Sequence, residues 1–306
     1  MKNINIILLI ILLISCSKDE KNDYSDIIYS DNEEEILIFS PTKYKVNIWK
    51  NFVQSESYYL NQSLAIYDDH VFEIEENGRI VILDFQSKEV IGHCMMDIIK
   101  NHANNANFSN IFYKKNDRFP LLYISRCQKQ FHECLVYRIF QDENYWDTQL
   151  IQSINTDVNP LNYALSWTID NTNKIIYCYT YTNGDYNIHQ NNNCVIYGWK
   201  LPEINQNITL LKENTIQSFE MPYCVQQGAF IHNGLILLNA HGQTHIGTEF
   251  GIWAIDPISG ERIWRIPSPS QKELEGISMY NNKLYVSSRT SNNTNLFPLT
   301  IYEYEF

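Results

Sequence analysis

Beyond residue 36 the chain is a succession of short segments in which apolar and polar residues alternate, each closed by Gly, Asn, Asp or Pro. Alternation with a period of two over four to eight residues marks a half-buried strand. The clearest unit is 226–267, where GAFIHN, LILLNAH, GIWAID and RIWRIP read as four antiparallel strands. They are separated by His232-Asn233-Gly234, a polar loop, and Pro257-Ile258-Ser259-Gly260. So small a sheet cannot bury both faces alone, and weaker copies should stack against it around a common axis. The pattern predicts a β-propeller.

Such copies occur. SLAIYDD, HVFEIEE, GRIVILDF and EVIGHC form the first, with Asn77-Gly78 as its firmest hairpin signal. After a short helical stretch, MMDIIKNH, the second runs FSNIFYKK, PLLYISRC, ECLVYRIF and DTQLIQSI. YALSWTID, KIIYCYTY, CVIYGWKL and ITLLKEN form the third, and 226–267 the fourth. The fifth, GISMYNN, KLYVSSRT and LTIYEYEF, ends one strand short, while EILIFSP and YKVNIWKNF near the N-terminus are strands without a sheet. An N-terminal strand that completes the last blade removes an exposed edge and closes the ring. The expectation is an all-β, single-domain propeller of about five four-stranded blades. Six blades are the alternative count, because successive first strands are spaced irregularly, roughly 45 to 65 residues apart; a β-sandwich with long loops is the other architecture.

Composition agrees with one folded domain: 306 residues are 44% hydrophobic and 19% charged, and the 21 tyrosines and 14 phenylalanines favour strands. A net charge of -12 argues against nucleic acid or an anionic lipid face as partner. Of the seven cysteines, Cys94, Cys127, Cys134, Cys178, Cys194 and Cys224 form an even set outside the N-terminal segment. Cys127 with Cys134, and Cys178 with Cys194, could each pair across a hairpin; free thiols buried as small apolar groups are the equal alternative.

Residues 1–15, MKNINIILLIILLIS, carry one lysine and an apolar run too short to span a bilayer stably, which reads as a signal peptide. Leu13-Ile14-Ser15-Cys16 resembles a bacterial lipobox, which implies that Cys16 is acylated and becomes the mature N-terminus. Ser17-Lys18-Asp19-Glu20 resembles the surface-export signal of Bacteroidetes lipoproteins. Together these imply an outer-membrane protein anchored by lipid and facing the cell exterior, with 16–34 as a polar flexible tether and 35–306 as the propeller.

Residues leading into each first strand should face the central channel. They are Gln226, Gln227 and Gly228, Glu275 and Gly276, His102 with Asn104, Asn105 and Asn107, and Trp167. Gln-Gly and Glu-Gly at equivalent places resemble the channel mouths of lactonase-like propellers, where a glutamate and asparagines hold calcium. That resemblance makes Glu275 a weak metal candidate and calcium a possible cofactor; capped strand ends with channel waters are the plainer reading, and no cofactor is expected. Asp256, Gly260 and Trp264, after Ala254, resemble the blade repeat of quinoprotein-type propellers, and Asp84 keeps a faint copy of it. This implies fold and no quinone. His241 and His245 lie in a loop, and GxSxG, P-loop and GxGxxG motifs are absent from the sequence. Trp146, Tyr163, Trp167, Tyr186, Trp199 and Tyr223 fall near Asn-rich loops, where rings and amides suit sugar faces, although most strand aromatics pack between blades. The expected function is a binding or scaffold module for a glycan or an outer-membrane protein partner. The alternative is a metal-assisted lactonase or hydrolase at the channel mouth.

Overall fold

The computed structural model describes residues 28–29, 43–52, 61–128, 131–142, 145–158, 165–181, 194–221, 225–240, 251–269, 274–289 and 299–306. Two-residue turns shape its blades. Asp68-Asp69, Asn233-Gly234 and Asn281-Asn282 all take positive φ, between 46° and 74°. Both central residues of a type I′ turn need that conformation, and its twist matches that of the strands it joins. These turns connect Asn61–Tyr67 to His70–Glu75, Val225–His232 to Leu235–Ala240, and Leu274–Tyr280 to Lys283–Arg289.

Five antiparallel blades follow. From the axis outward, blade 1 is Asn61–Tyr67, His70–Glu75, Arg79–Asp84 and Val90–Met95. Blade 2 is Ala103–Phe108, Leu122–Gln128, Phe131–Asp142 and Tyr145–Thr156; blade 3 is Ser166–Asp170, Ile175–Tyr181, Cys194–Lys200 and Gln217–Met221. Blade 4 is Val225–His232, Leu235–Ala240, Gly251–Ile255 and Arg262–Pro267. Blade 5 runs Leu274–Tyr280, Lys283–Arg289 and Leu299–Glu305, and Lys45–Asn51 completes it from the N-terminal side. The closing strand buries Trp49 against Phe85 and Tyr285, and Lys88 Nζ donates to Trp49 O at 2.8 Å, so closure ties blade 5 to blade 1.

Alternating side chains fill the joints. Five apolar clusters each lie between two neighbouring blades, such as Phe72, Ile74, Leu122 and Ile124 between blades 1 and 2, and Leu64, Val71, Tyr285 and Ile301 between blades 5 and 1. Near the axis, polar side chains bond the next blade's backbone. Ser63 Oγ accepts from Ala106 N at 2.8 Å, Ser125 Oγ from Trp167 N at 2.8 Å, and Ser278 Oγ from Ile66 N at 3.2 Å. Thr168 Oγ1 donates to Ala229 O at 3.3 Å, and Asn239 Nδ2 to Glu275 O at 3.0 Å. With these, all five joints carry a polar tie as well as an apolar cluster.

The strand assignments differ from the sequence expectation at three places. MMDIIKNH is no helix: Met96 N donates to Gly78 O and Ile99 N to Met96 O in a tight crossover that buries Met96 and Ile99. The inner strand of blade 2 is therefore ANNANF, ahead of FSNIFYKK; asparagine is depleted in strands, and these side chains are retained by their bonds. Ile208–Leu210 does not complete blade 3 but adds in parallel to the outer strand of blade 2, and Gln217–Met221 takes its expected place. Ile28–Tyr29, inside the stretch read as a tether, pairs with Ile111–Phe112. EILIFSP and the leader lie outside the described residues.

The turn read at Asp256 is formed. Ile258 N donates to Asp256 Oδ1 at 2.9 Å, Gly260 takes φ +73°, and Trp264 packs on the cluster between blades 4 and 5. Blade 1 repeats it around Asp84, with Lys88 at φ 62° in the glycine's place.

Candidate functional site

Four of the five inner strands break register at the same end. Asn61 and Ser63 face Glu75 and Ile74, which leaves Gln62 extra. Ala103 and Ala106 face Arg126 and Ile124, so Asn104 and Asn105 share one partner position. Gln226, Gln227 and Gly228 oppose Asn239 alone, and Glu275 with Gly276 opposes Ser287. The described part of blade 3, Ser166–Asp170, pairs without a break. The type I′ turns cap the opposite ends of three of these strands, so the bulges lie together at one end of the propeller axis. Bulges re-aim side chains and are enriched next to functional sites.

Two glycines permit the ring. A Cβ on Gly228 would stand 2.3 Å from Glu275 O, and one on Gly276 would stand 2.1 Å from Leu64 N. Here backbone meets backbone across joints 4–5 and 5–1, which no side chain would allow. Gln-Gly and Glu-Gly thus occupy equivalent bulges in adjacent blades.

The expected site residues divide by place. Asn105 Nδ2 donates to Trp167 O and Ala229 O at 2.8 Å and lies 3.0 Å from Asn107 Oδ1, and Asn107 Nδ2 donates to Ala229 O at 3.0 Å, so this pair links blades 2, 3 and 4 across the axis. Asn104 is buried and its Oδ1 accepts from Asn105 N. Glu275 is buried in its bulge. Trp167 turns its ring into the joint between blades 2 and 3, where Nε1 donates to His132 O at 3.1 Å. His102, half-buried at φ 59°, enters the inner strand of blade 2 with Nδ1 3.9 Å from Glu76 Oε1. The backbones of Gln226 and Gln227 belong to the bulge, and their side chains lie outside the described residues.

The residues missed in the sequence are on blade 1. Glu73 is fully buried on the strand face it shares with Val71, toward blade 5. Asn61 Nδ2 donates to Glu73 Oε1 at 2.8 Å and to Ser63 O at 3.0 Å. Two positions along, buried Glu75 accepts from Arg79 Nη1 at 3.1 Å. Burial first, and then the nearby Glu75 carboxylate, push the Glu73 carboxyl up to about 8, against the smaller opposing pulls of Asn61 and Arg79. Glu73 therefore holds its proton at neutral pH. HVFEIEE gives a sequence signal for this, since Glu73 and Glu75 fall on the same face of a strand whose other face is Phe72 and Ile74.

Among the described residues no group of three or more His, Cys, Asp or Glu is placed to hold a metal ion. Trp146 and Trp199 are buried joint residues, and Tyr163, Tyr186, Tyr223, His241 and His245 lie outside the described residues. Cys94, Cys127, Cys134, Cys178 and Cys194 are buried thiols outside any disulfide. Cys127 stands opposite His132, Cys134 opposite Ser125, Cys178 opposite Tyr197 and Cys194 opposite Tyr181, so neither hairpin pairing forms. Burial pushes the Cys94 thiol up to about 12. Cys224 lies outside the described residues.

The fold defines the molecule as a five-bladed β-propeller whose inner strands carry buried polar residues in bulges at one end. No protein-family model matches the chain, and no curated protein sequence does. Among solved structures it is similar to Myxococcus xanthus glutaminyl cyclase, at 11% identity and a TM-score of 0.51 over 85% of this chain and 96% of that one. It also resembles the β-propeller domain of Cps50 (Swd1) from Myceliophteria thermophila, at 8% identity and a TM-score of 0.42 over 84% and 99% of the two chains. At such identities the likeness concerns the fold alone.

Proposed function

We propose that the chain is a lipid-anchored surface lipoprotein whose propeller is a non-enzymatic binding module, with the ligand taken at the bulged channel mouth. The observation that carries this reading is the repetition of one device in four blades. Each bulge places amide or carboxylate residues at the same height around one opening, where a propeller otherwise packs plain strand ends. The anchor fits the same orientation. Ile28–Tyr29 pairs with Ile111–Phe112, beyond the far end of the inner strand of blade 2. Acylation at Cys16 would thus hold the propeller by the face opposite the mouth and leave the mouth toward the ligand.

A glycan or the polar end of a protein partner fits a rim of this kind, because amides both donate to and accept from hydroxyl and peptide groups. Of the aromatics read as sugar platforms, Trp146, Trp167 and Trp199 give none, since all three are buried. The alternative, a hydrolase with its site at the mouth, draws support from the buried Glu73 carboxyl, which burial and the neighbouring Glu75 push well above the ordinary carboxylate range, toward proton transfer near neutral pH. The neighbouring glutaminyl cyclase shows only that an enzyme can be built on this architecture.

The test is a glycan and peptide array probed with the full chain, and with its Glu275→Gln and Asn104→Leu variants. Retained array ligands that both variants weaken about tenfold or more, and that are recovered unchanged, are the expected result. Binding indifferent to both variants overturns the mouth; a cleaved or cyclised ligand overturns the non-enzymatic role. In the same cells, Cys16→Ser should abolish acyl-chain labelling and protease accessibility on intact cells, and retention of both would sink the anchor.

A further inference from the structure

We propose that Asn61, Gln62 and Glu73 form a subsite for a primary ammonium group at the mouth end of blade 1. This deepens the mouth-binding reading and rests on it. Asn61 Oδ1, Gln62 Oε1 and Glu73 Oε2 are buried oxygens with no hydrogen-bond donor among the described residues. Their residues are only 5%, 3% and 0% exposed. Buried polar atoms are nearly always paired, and one left without a partner is costly. Asn61 Oδ1 and Gln62 Oε1 are acceptors and Glu73 Oε2 becomes one when its carboxyl ionises, in side chains that are sequence neighbours or directly bonded, because Asn61 Nδ2 already donates to Glu73 Oε1 at 2.8 Å.

The missing complement is a group that brings donors only. A primary ammonium brings three N–H donors and no acceptor, whereas a hydroxyl or carboxylate would add acceptors to acceptors. Charge points the same way. Glu75 is already bound to Arg79, so Glu73 is the carboxyl without a fixed cation, and one positive charge suffices. A divalent ion would need more charged oxygens than this corner offers among the described residues.

Binding is coupled to a proton. Glu75 on the same strand, Arg79 on the next strand and the Asn61 amide act on Glu73 within blade 1. Across the joint, blade 5 presents Glu275 on its inner strand and Tyr285 on its second. Glu73 is neutral before the ligand arrives; an incoming ammonium favours the carboxylate, and the displaced proton leaves to solvent. A neutral amine would instead take that proton directly, giving the same carboxylate and ammonium pair.

Calorimetry on the full chain at pH 7, in two buffers of different ionisation heat, reads this directly. Methylammonium should bind with release of a proton, and tetramethylammonium, which has the charge without N–H donors, should not bind. Glu73→Gln should abolish proton release and weaken methylammonium about tenfold or more, and Gln62→Leu should weaken it with proton release intact. Unchanged near-ultraviolet dichroism confirms that both variants fold. Absence of methylammonium binding, equal binding of tetramethylammonium, or full proton release in Glu73→Gln would overturn the subsite. Array ligands that depend on Glu275 and Asn104 in a chain that ignores methylammonium leave the mouth reading standing and remove only the ammonium subsite. Methylammonium binding without such dependence does the reverse.

Discussion

Replacing Glu73 by glutamine should make the protein more stable at pH 8.5, raising its melting temperature by about 5 °C or more. The carboxyl of Glu73 is pushed up to about 8 in the folded chain, by burial first and by Glu75 second, from a value of 4.5 when exposed. Between those two values the folded chain keeps a proton that the unfolded chain has released. The unfolded state then binds fewer protons, so stability falls as pH rises through the window and levels off above about 8. Each pH unit of that window is worth about 1.4 kcal/mol, so the whole amounts to a few kcal/mol at most. Glutamine keeps the oxygen that accepts from Asn61 Nδ2 and never ionises. Its curve of melting temperature against pH should therefore lose the descent between about 5 and 8 that the parent shows. Parallel curves for the two proteins would show that Glu73 is not neutral in the folded state. An improvement in stability by removing a buried carboxyl is what a residue kept for binding predicts, since such residues are retained against stability.

The architecture was legible because its signals are local. Turn residues at Asp68-Asp69 and Asn233-Gly234, and the unpaired strands at the two ends, were enough for five blades and their closure. Two kinds of information were not local. The crossover from blade 1 to blade 2 is fixed by where Met96 and Ile99 are buried, and its apolar spacing alone imitates a helix. The strand Ala103–Phe108 is rich in asparagine because Asn105 and Asn107 bond carbonyls of two other blades, and composition without partners reads it as loop. For the site, Gln-Gly and Glu-Gly led to two bulges of the ring and HVFEIEE sets Glu73 and Glu75 on one strand face, yet Asn61 and Gln62 gave no such mark. Their roles depend on a register shift of one residue opposite Glu75, which a sequence does not display.

Gly276→Ala should destabilise the protein by more than 3 kcal/mol, the upper end of ordinary overpacking, and Gly234→Ala by about 1 kcal/mol. The two glycines fail an added methyl for different reasons. Gly234 sits at φ +74° with nothing within 4 Å, so alanine there meets backbone strain and no neighbour. Gly276 would place its Cβ 2.1 Å from Leu64 N, 2.6 Å from Leu64 Cβ and 2.6 Å from Ser63 C. Those atoms belong to the inner strand of the next blade and cannot rotate away, so the inner strands of blades 5 and 1 must part. Parting them stretches the bond from Ile66 N to Ser278 Oγ and loosens the cluster around Leu64 and Tyr285. It also moves the bulge at Gly276 away from Ser63 and Leu64, so any ligand bound at the mouth should weaken along with the fold. Urea unfolding of both variants measures the difference. Equal costs would mean that the ring yields at this joint, and that the bulges do not hold the mouth at a fixed width.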